Sequence, residues 1–383
     1  MGSRQRTGTL VRMPELKFRA PALGAAVLLS LSVAACGSDY PLGPAQESAA
    51  QQGSTLSGTL TGAGASSQNA AMDAWVAGFG LLHTDAQVQY SPDGSGAGRT
   101  AFLAGAVDFA GSDAFLDDEE LEESRKVCGP DGAFDVPAYI SPITVAFNLP
   151  GITELNLDAE TIAKIFQGEI KSWNDPAIAK HNPGVELPDL PVTPVNRSED
   201  SGTTETFTEY LHAVVPDTWT AEPSDTWPAE FAGENAQGTT GVVSMVAGTK
   251  GAVTYADDSA VGAPLGKANL KVGDSFVPVS AEAAATALDQ AKQVEGRPAH
   301  DLALELDRAT TAAGAYPLML VSYHIYCSTY EDQSKVDLVK AFGQYVLSPE
   351  GQADAADSAK SAPLSEELSQ KATESIERIS VRS

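Results

Sequence analysis

The densest chemistry in the sequence lies in Arg197-Ser198-Glu199-Asp200-Ser201-Gly202-Thr203, where a guanidinium, hydroxyls and the start of a helix fall within seven residues. Arginine's planar fork matches the oxygens of a tetrahedral oxyanion. The unpaired N–H groups and dipole of a helix start favour the same ligand. Glu199 either holds Arg197 by a paired hydrogen bond or forms an exposed ion pair of little consequence. Two glycine-rich turns offer similar donors: Gly62-Ala63-Gly64-Ala65-Ser66-Ser67 and Gly94-Ser95-Gly96. Each has a plainer reading, with Ser66 or Ser67 as a helix cap and Gly94–Gly96 as a solvent-facing loop. A single G-x-G-x-G is equally weak as a nucleotide signature.

Asp113, in Val107-Asp108-Phe109-Ala110-Gly111-Ser112-Asp113, reads in isolation as a helix cap. Beside an anion it means more, because a carboxylate repels a ligand that brings no proton. Phosphate carries a proton at neutral pH and sulfate does not, so an acceptor in a dry cleft would admit the first and reject the second.

These turns need elements to hold them. From Leu56 onward, short β-like runs alternate with helical patterns, the order expected of an α/β protein with a mostly parallel sheet. Leu56–Thr61 alternates apolar and polar residues before Met72, Trp75, Val76 and Phe79 recur at helical spacing. Val88–Ser91, the turn Gly94–Gly98 and a helix over Arg99–Ala104 repeat the plan before the strand Val107–Ala110. Tyr139–Asn148 is an apolar strand, and Val192–Asn196 precedes a helix bearing Phe207, Tyr210, Leu211 and Val214. No fixed period runs through the chain, which disfavours solenoids and propellers.

With 383 residues, the chain is long enough for two domains. Its 24 basic and 51 acidic residues give a net charge of −27, which argues against nucleic acid as a partner. Arg4, Arg6, Arg12, Lys17 and Arg19 precede the apolar run Ala20–Ala35, a signal-peptide layout over residues 1–35 too short for a spanning helix. Val33-Ala34-Ala35-Cys36 resembles a bacterial lipobox, which would make Cys36 the lipidated N-terminus and anchor the protein to the cell membrane. Residues 36–55 read as a flexible tether. Cys128 and Cys327 then remain, a disulfide or two free thiols. His83, His181, His212, His300 and His324 lack metal-ligand spacing, and Ser201 lies in Asp-Ser-Gly rather than a G-x-S-x-G elbow. No catalytic or metal site is expected, and a secreted phosphatase is the remote alternative.

Over residues 56–365 the motifs together resemble the extracytoplasmic substrate-binding protein of the bacterial phosphate-specific ABC transporter. The resemblance is carried by Thr61–Ser66, Val107–Asp113, Ile165-Phe166-Gln167-Gly168-Glu169-Ile170 with Trp173-Asn174-Asp175, Asn182-Pro183-Gly184, Arg197–Thr203, Gly238-Thr239-Thr240-Gly241-Val242, Gly251–Tyr255 and Ala362-Pro363-Leu364. It implies phosphate contacts from Ser66, Ser67, Ser95, Asp113, Arg197, Ser201, Gly202 and Thr203, with Glu199 as the arginine's partner. It further implies a two-lobed periplasmic-binding-protein fold of the type II, Venus-flytrap kind with two interdomain crossings, near Tyr139 and Pro317. One lobe would hold 56–139 and 318–383 and the other 140–317, which places Cys128 and Cys327 in the same lobe and favours their pairing. No cofactor is implied; the partners would be phosphate and the importer's permease subunits, and the protein a monomer. A binder of another tetrahedral oxyanion is the nearer alternative. Serine replaces the usual threonine at 66 and the usual aromatic at 67, and Asp200 replaces glycine, adding a negative charge near the cleft.

Overall fold

Repeated strand, turn and helix units build the first part of the chain, as its alternating patterns predict. In the computed structural model, which describes residues 56–231 and 233–382, β1 (Gly58–Gly64) leads through a 3-10 turn into α1 (Asn69–Leu82). β2 (Ala86–Ser91) likewise leads into α2 (Ser95–Leu103), and β3 (Phe109–Ser112) into α3 (Asp118–Cys128). The expected leader, tether and Cys36 lie outside the described residues. β1 pairs in parallel with β2 and β3, so the turns that follow these strands gather at one edge of the sheet. On α1, Ala71, Met72, Trp75 and Phe79 are buried at the three-to-four spacing of one helical face, and the Trp75 indole donates to the Gly351 carbonyl at 2.7 Å. α3 begins with a reciprocal capping box between Asp117 and Glu120, a feature that contributes about 1 kcal/mol.

The fully buried strand β4 (Ala133–Phe147) carries the chain onward. Next come β5 (Glu154–Leu157), α4 (Ala159–Phe166), the single turn α5 (Pro176–Ala179), β6 (Thr193–Arg197) and α6 (Gly202–Val214). β7 (Glu234–Ala236), α7 (Gly238–Gly248) and β8 (Ala252–Asp257) follow, then β9 (Gly266–Val272) paired with β10 (Ser275–Val277). α8 (Ala281–Leu288) and the short pair β11 (Lys292–Gln293) and β12 (Leu304–Glu305) precede β13 (Met319–Cys327). The last elements are β14 (Thr329–Tyr330), α9 (Gln333–Leu347), α10 (Pro349–Ala359), α11 (Glu366–Glu377) and β15 (Ser380–Val381).

The main sheet runs β2-β1-β3-β13-β4-β8-β6-β7, with β9 joining β4 to β5 and β10. The expectation of a mostly parallel sheet fails at its centre, where β13 is antiparallel to β3 and β4, and β4 is antiparallel to β8 and β9. Those strands come from distant parts of the chain rather than from successive strand-helix units, so no parallel crossover dictates their direction.

Two large apolar cores lie along this sheet. Trp75, Phe79, Phe109, Phe134, Ile140 and Phe342 belong to the first, and Ile143, Phe147, Phe166, Trp173, Phe207, Trp219 and Tyr255 to the second. Burying each such side chain contributes roughly 1.5–3 kcal/mol. The change of core occurs within β4, between Ile140 and Ile143. β13 lies alongside, with Ser322 opposite Tyr139 and a register irregularity between Ser322 and Tyr323. The protein is therefore α/β and two-lobed. Cys128 at the end of α3 and Cys327 at the end of β13 form a disulfide, 199 positions apart in sequence.

Candidate functional site

The turns singled out in the sequence meet in one place. Ser66 and Ser67 follow β1, Ser95 opens α2, Asp113 follows β3, and Arg197 through Thr203 link β6 to α6. Ser67, Ser95, Asp113, Arg197, Ser201, Gly202 and Thr203 are all buried, while Ser66 is half-buried. Neither Ser66 nor Ser67 caps α1 with its side chain, and Asp117 rather than Asp113 caps α3. The plainer readings of these residues therefore give way to a shared network. Gly94–Gly98 is no extended turn either: Gly94 takes the cap position at φ 113° and Ser95 starts α2.

Asp113 is the hub. Its Oδ2 accepts from Ser67 Oγ at 2.5 Å and Thr203 Oγ1 at 3.0 Å, and its Oδ1 accepts from Ser322 Oγ at 2.7 Å. Its backbone N–H donates to Ser95 Oγ at 3.2 Å. Burial pushes the carboxyl above its ordinary pKa, against the opposing pull of the Ser67, Ser322 and Thr203 hydrogen bonds and the Arg197 charge. A carboxylate offers about four lone-pair directions. The three hydroxyls leave about one for a further proton donor.

Arg197 ends β6. Its Nε donates to Glu199 Oε1 at 2.8 Å, and its Nη2 donates to the same oxygen and to Ser66 Oγ, the latter at 2.9 Å. Nη1 has no hydrogen-bond partner among the described residues. Glu199 Oε1 also accepts from Gly238 N at 3.0 Å, and Ser66 Oγ accepts from Thr239 N at 3.0 Å. The first residues of α7 are thus drawn into the site. Ser201 caps α6, its Oγ accepting from Thr204 N at 3.4 Å. Tyr255 fixes the β6–α6 turn by pairing with Thr204 Oγ1 at 2.7 Å and accepting from Arg197 N at 3.3 Å.

Gly202 explains itself by contact. A Cβ there would lie 2.8 Å from the Asp113 Cβ and 2.9 Å from Ser95 Oγ, so only glycine allows α6 to approach the turns of the first core this closely. Asp200 is exposed and its carboxylate accepts from Thr226 Oγ1 at 2.7 Å, while its carbonyl accepts from Gly96 N at 3.3 Å. The backbone of this residue, more than its charge, meets the facing turn.

Sequence reasoning missed Ser322, whose hydroxyl lies within the buried strand β13 and reaches Asp113 from far along the chain. A serine among Met319, Leu320, Val321, Tyr323 and Ile325 was the available signal. Tyr255 and Thr239 enter the sequence reading only as members of motifs, with no individual role. Among the described residues no group of three or more His, Cys, Asp or Glu is arranged to hold a metal ion, and no helix is long and apolar enough to cross a membrane.

A sequence model of the PBP superfamily domain matches residues 49–350. Phosphate-binding protein PstS 2 of Mycobacterium tuberculosis is 34% identical over 328 residues, covering 84% of this chain and 87% of that protein. Phosphate-binding protein PstS 3 of Mycobacterium leprae is 36% identical over 297 residues, covering 76% and 79%. The crystal structure of the phosphate-binding protein from Stenotrophomonas maltophilia matches the fold with a TM-score of 0.62 at 20% identity, over 83% of this chain and 94% of that one. Similarity of this extent means that the chain belongs to the PBP superfamily and, within it, to the family of the PstS phosphate-binding proteins.

Proposed function

We propose that the protein captures inorganic phosphate between its lobes, outside the cytoplasm, and delivers it to the permease subunits of an ABC importer. One observation carries this reading: Asp113, with about one acceptor direction unspent, shares a buried site with Arg197. An anion site that contains a proton acceptor selects an oxyanion that still bears a proton. In this reading Ser66, Ser95, Ser201 and Thr203 offer hydroxyls, and Ser67 and Gly202 offer backbone N–H groups. Arg197 supplies positive charge, and Glu199 holds its fork in place. Hydrogen bonds to a charged partner contribute about 1.5–3 kcal/mol each, so several together offset the long-range repulsion of an acidic protein.

The lobes are proposed to comprise 56–139 with 318–383, and 140–317. The change of core between Ile140 and Ile143 supports the first crossing, although Ala284, Ala287 and Leu302 also pack on the first core. A signal peptide over 1–35, lipidation at Cys36 and a tether over 36–55 complete the proposal, with a monomeric protein that binds without catalysis or cofactor. Isothermal titration with phosphate, arsenate and sulfate tests it. Phosphate and arsenate are expected to bind and sulfate to give no heat; sulfate binding as tightly as phosphate would overturn the assignment.

A further inference from the structure

We infer that Arg99 is a positioning residue that couples the two halves of the binding site, a role that rests on the phosphate-binding reading above. Arg99 lies in α2 one turn beyond Ser95 and is 8% exposed. Its guanidinium is shared three ways. Nε donates to Glu120 Oε1 at 2.8 Å, Nη1 to Ser112 Oγ at 3.3 Å and Nη2 to Asp225 Oδ2 at 3.0 Å.

The first two partners belong to the side of the site that carries Asp113. Ser112 precedes Asp113 directly, and its hydroxyl donates to the Ala114 carbonyl at 2.5 Å and accepts from Ala114 N at 3.2 Å, closing a small turn around the carboxylate. The third partner belongs to the other side. Asp225 lies between α6 and β7, two residues before Trp227, whose ring packs against Phe166 and Phe207 of the second core. The Asp225 carbonyl accepts from Ser201 N at 2.9 Å, so the residue that meets Arg99 also anchors the start of α6. One planar fork therefore braces the turn holding Asp113 and the turn holding Ser201. An ammonium on a flexible stem would not hold three partners in fixed directions.

Its place at the seam distinguishes Arg99 from an ordinary surface ion pair. Nearby, Gly96 N donates to the Asp200 carbonyl at 3.3 Å, and Gly202 abuts Asp113. When the halves separate, the limb to Asp225 is lost while those to Glu120 and Ser112 stay within one half. The Arg99–Asp225 contact thus stabilises the closed arrangement selectively, and an interaction made only in the binding-competent state raises apparent affinity by raising that state's population.

The test measures phosphate affinity and rates in the purified protein and in Arg99→Gln, Asp225→Ala and Glu120→Gln. Asp225→Ala keeps the carbonyl that Ser201 needs and, besides the cross-site limb, removes only a long 3.5 Å contact from the Thr226 hydroxyl, so it carries the test even if Arg99→Gln fails to fold. Arg99→Gln and Asp225→Ala are each expected to weaken phosphate roughly tenfold through faster dissociation, and the double variant to lose little more than Arg99→Gln. Glu120→Gln, whose single amide oxygen cannot serve both Arg99 Nε and the Asp117 N–H, perturbs contacts within one half only and should stay within about threefold of the parent protein. Asp225→Ala binding within about twofold of the parent, or Glu120→Gln costing as much as Asp225→Ala, would overturn the coupling role. Failure of the parent protein itself to bind phosphate would instead sink the reading on which that role rests.

Discussion

Replacing Asp113 with asparagine isolates the group held to select the ligand. The amide has nearly the same shape, and the hydroxyls of Ser67, Thr203 and Ser322 can rotate to accept from its NH2 or donate to its oxygen, so the fold should persist. Two effects then act in opposite directions on two ligands. Phosphate loses a charge-assisted hydrogen bond from its own O–H, about 1.5–3 kcal/mol, which weakens it by about one to two orders of magnitude. Sulfate loses a repulsive acceptor and gains a donor, so it should bind more tightly than to the parent protein. The ratio of phosphate to sulfate affinity should therefore fall by at least about tenfold. Calorimetric titration of both anions into both proteins near neutral pH reads that ratio directly. If Asp113→Asn excludes sulfate as well as the parent does, the proton-acceptor argument is wrong even if phosphate binding weakens.

Three further outcomes are expected. Arg197→Ala should weaken phosphate at least roughly tenfold, since it removes the cation and leaves Glu199 facing the ligand; an unchanged dissociation constant would count against the site. Burial pushes the Asp257 carboxyl from 3.8 up to about 7 against the hydrogen bonds from Ser141 and Ser259. The folded state thus keeps a proton that the unfolded chain releases, and this contribution to stability, up to about 4 kcal/mol, is complete at acid pH and lost as pH rises toward 7. His324, pushed by burial down to about 3, acts oppositely below its ordinary value of 6.5, so the comparison must be with Asp257→Asn. Denaturation curves should show the variant losing less stability than the parent between about pH 4 and 7, and parallel pH dependence would contradict this. Breaking the Cys128–Cys327 bond by Cys128→Ser with Cys327→Ser should cost about 2–4 kcal/mol, visible as a lower melting temperature that no longer responds to reductant.

Local chemistry was the legible part of this protein. Gly62–Ser67, Gly94–Gly96 and Arg197–Thr203 each sit where a strand gives way to a helix, and that arrangement is written in neighbouring residues. The roles of individual hydroxyls were harder to read. Ser67 has a serine's usual claim to a helix cap, and only the arrival of Asp113 from β3 draws it elsewhere. Ser322 and Arg99 were silent for the same reason, because nothing near a serine in an apolar strand or an arginine on a helix reveals which remote carboxylate it will meet. The antiparallel centre of the sheet was likewise hidden, since the pairing of Met319–Cys327 with Ala133–Pro142 joins strands far apart in the chain.

Ser322 has a double attachment. It lies at the irregular point of β13, beside the place where β4 passes from one core to the other, and it donates to the Asp113 carboxylate, the proposed acceptor of the ligand's proton. Under the proposed lobe division, a swing of the lobes about these strands would also tug at the group proposed to recognise the cargo. On that reading unclasping and discharge would become one movement, and an importer that pries the jaws apart would loosen the chemical hold along with the mechanical one.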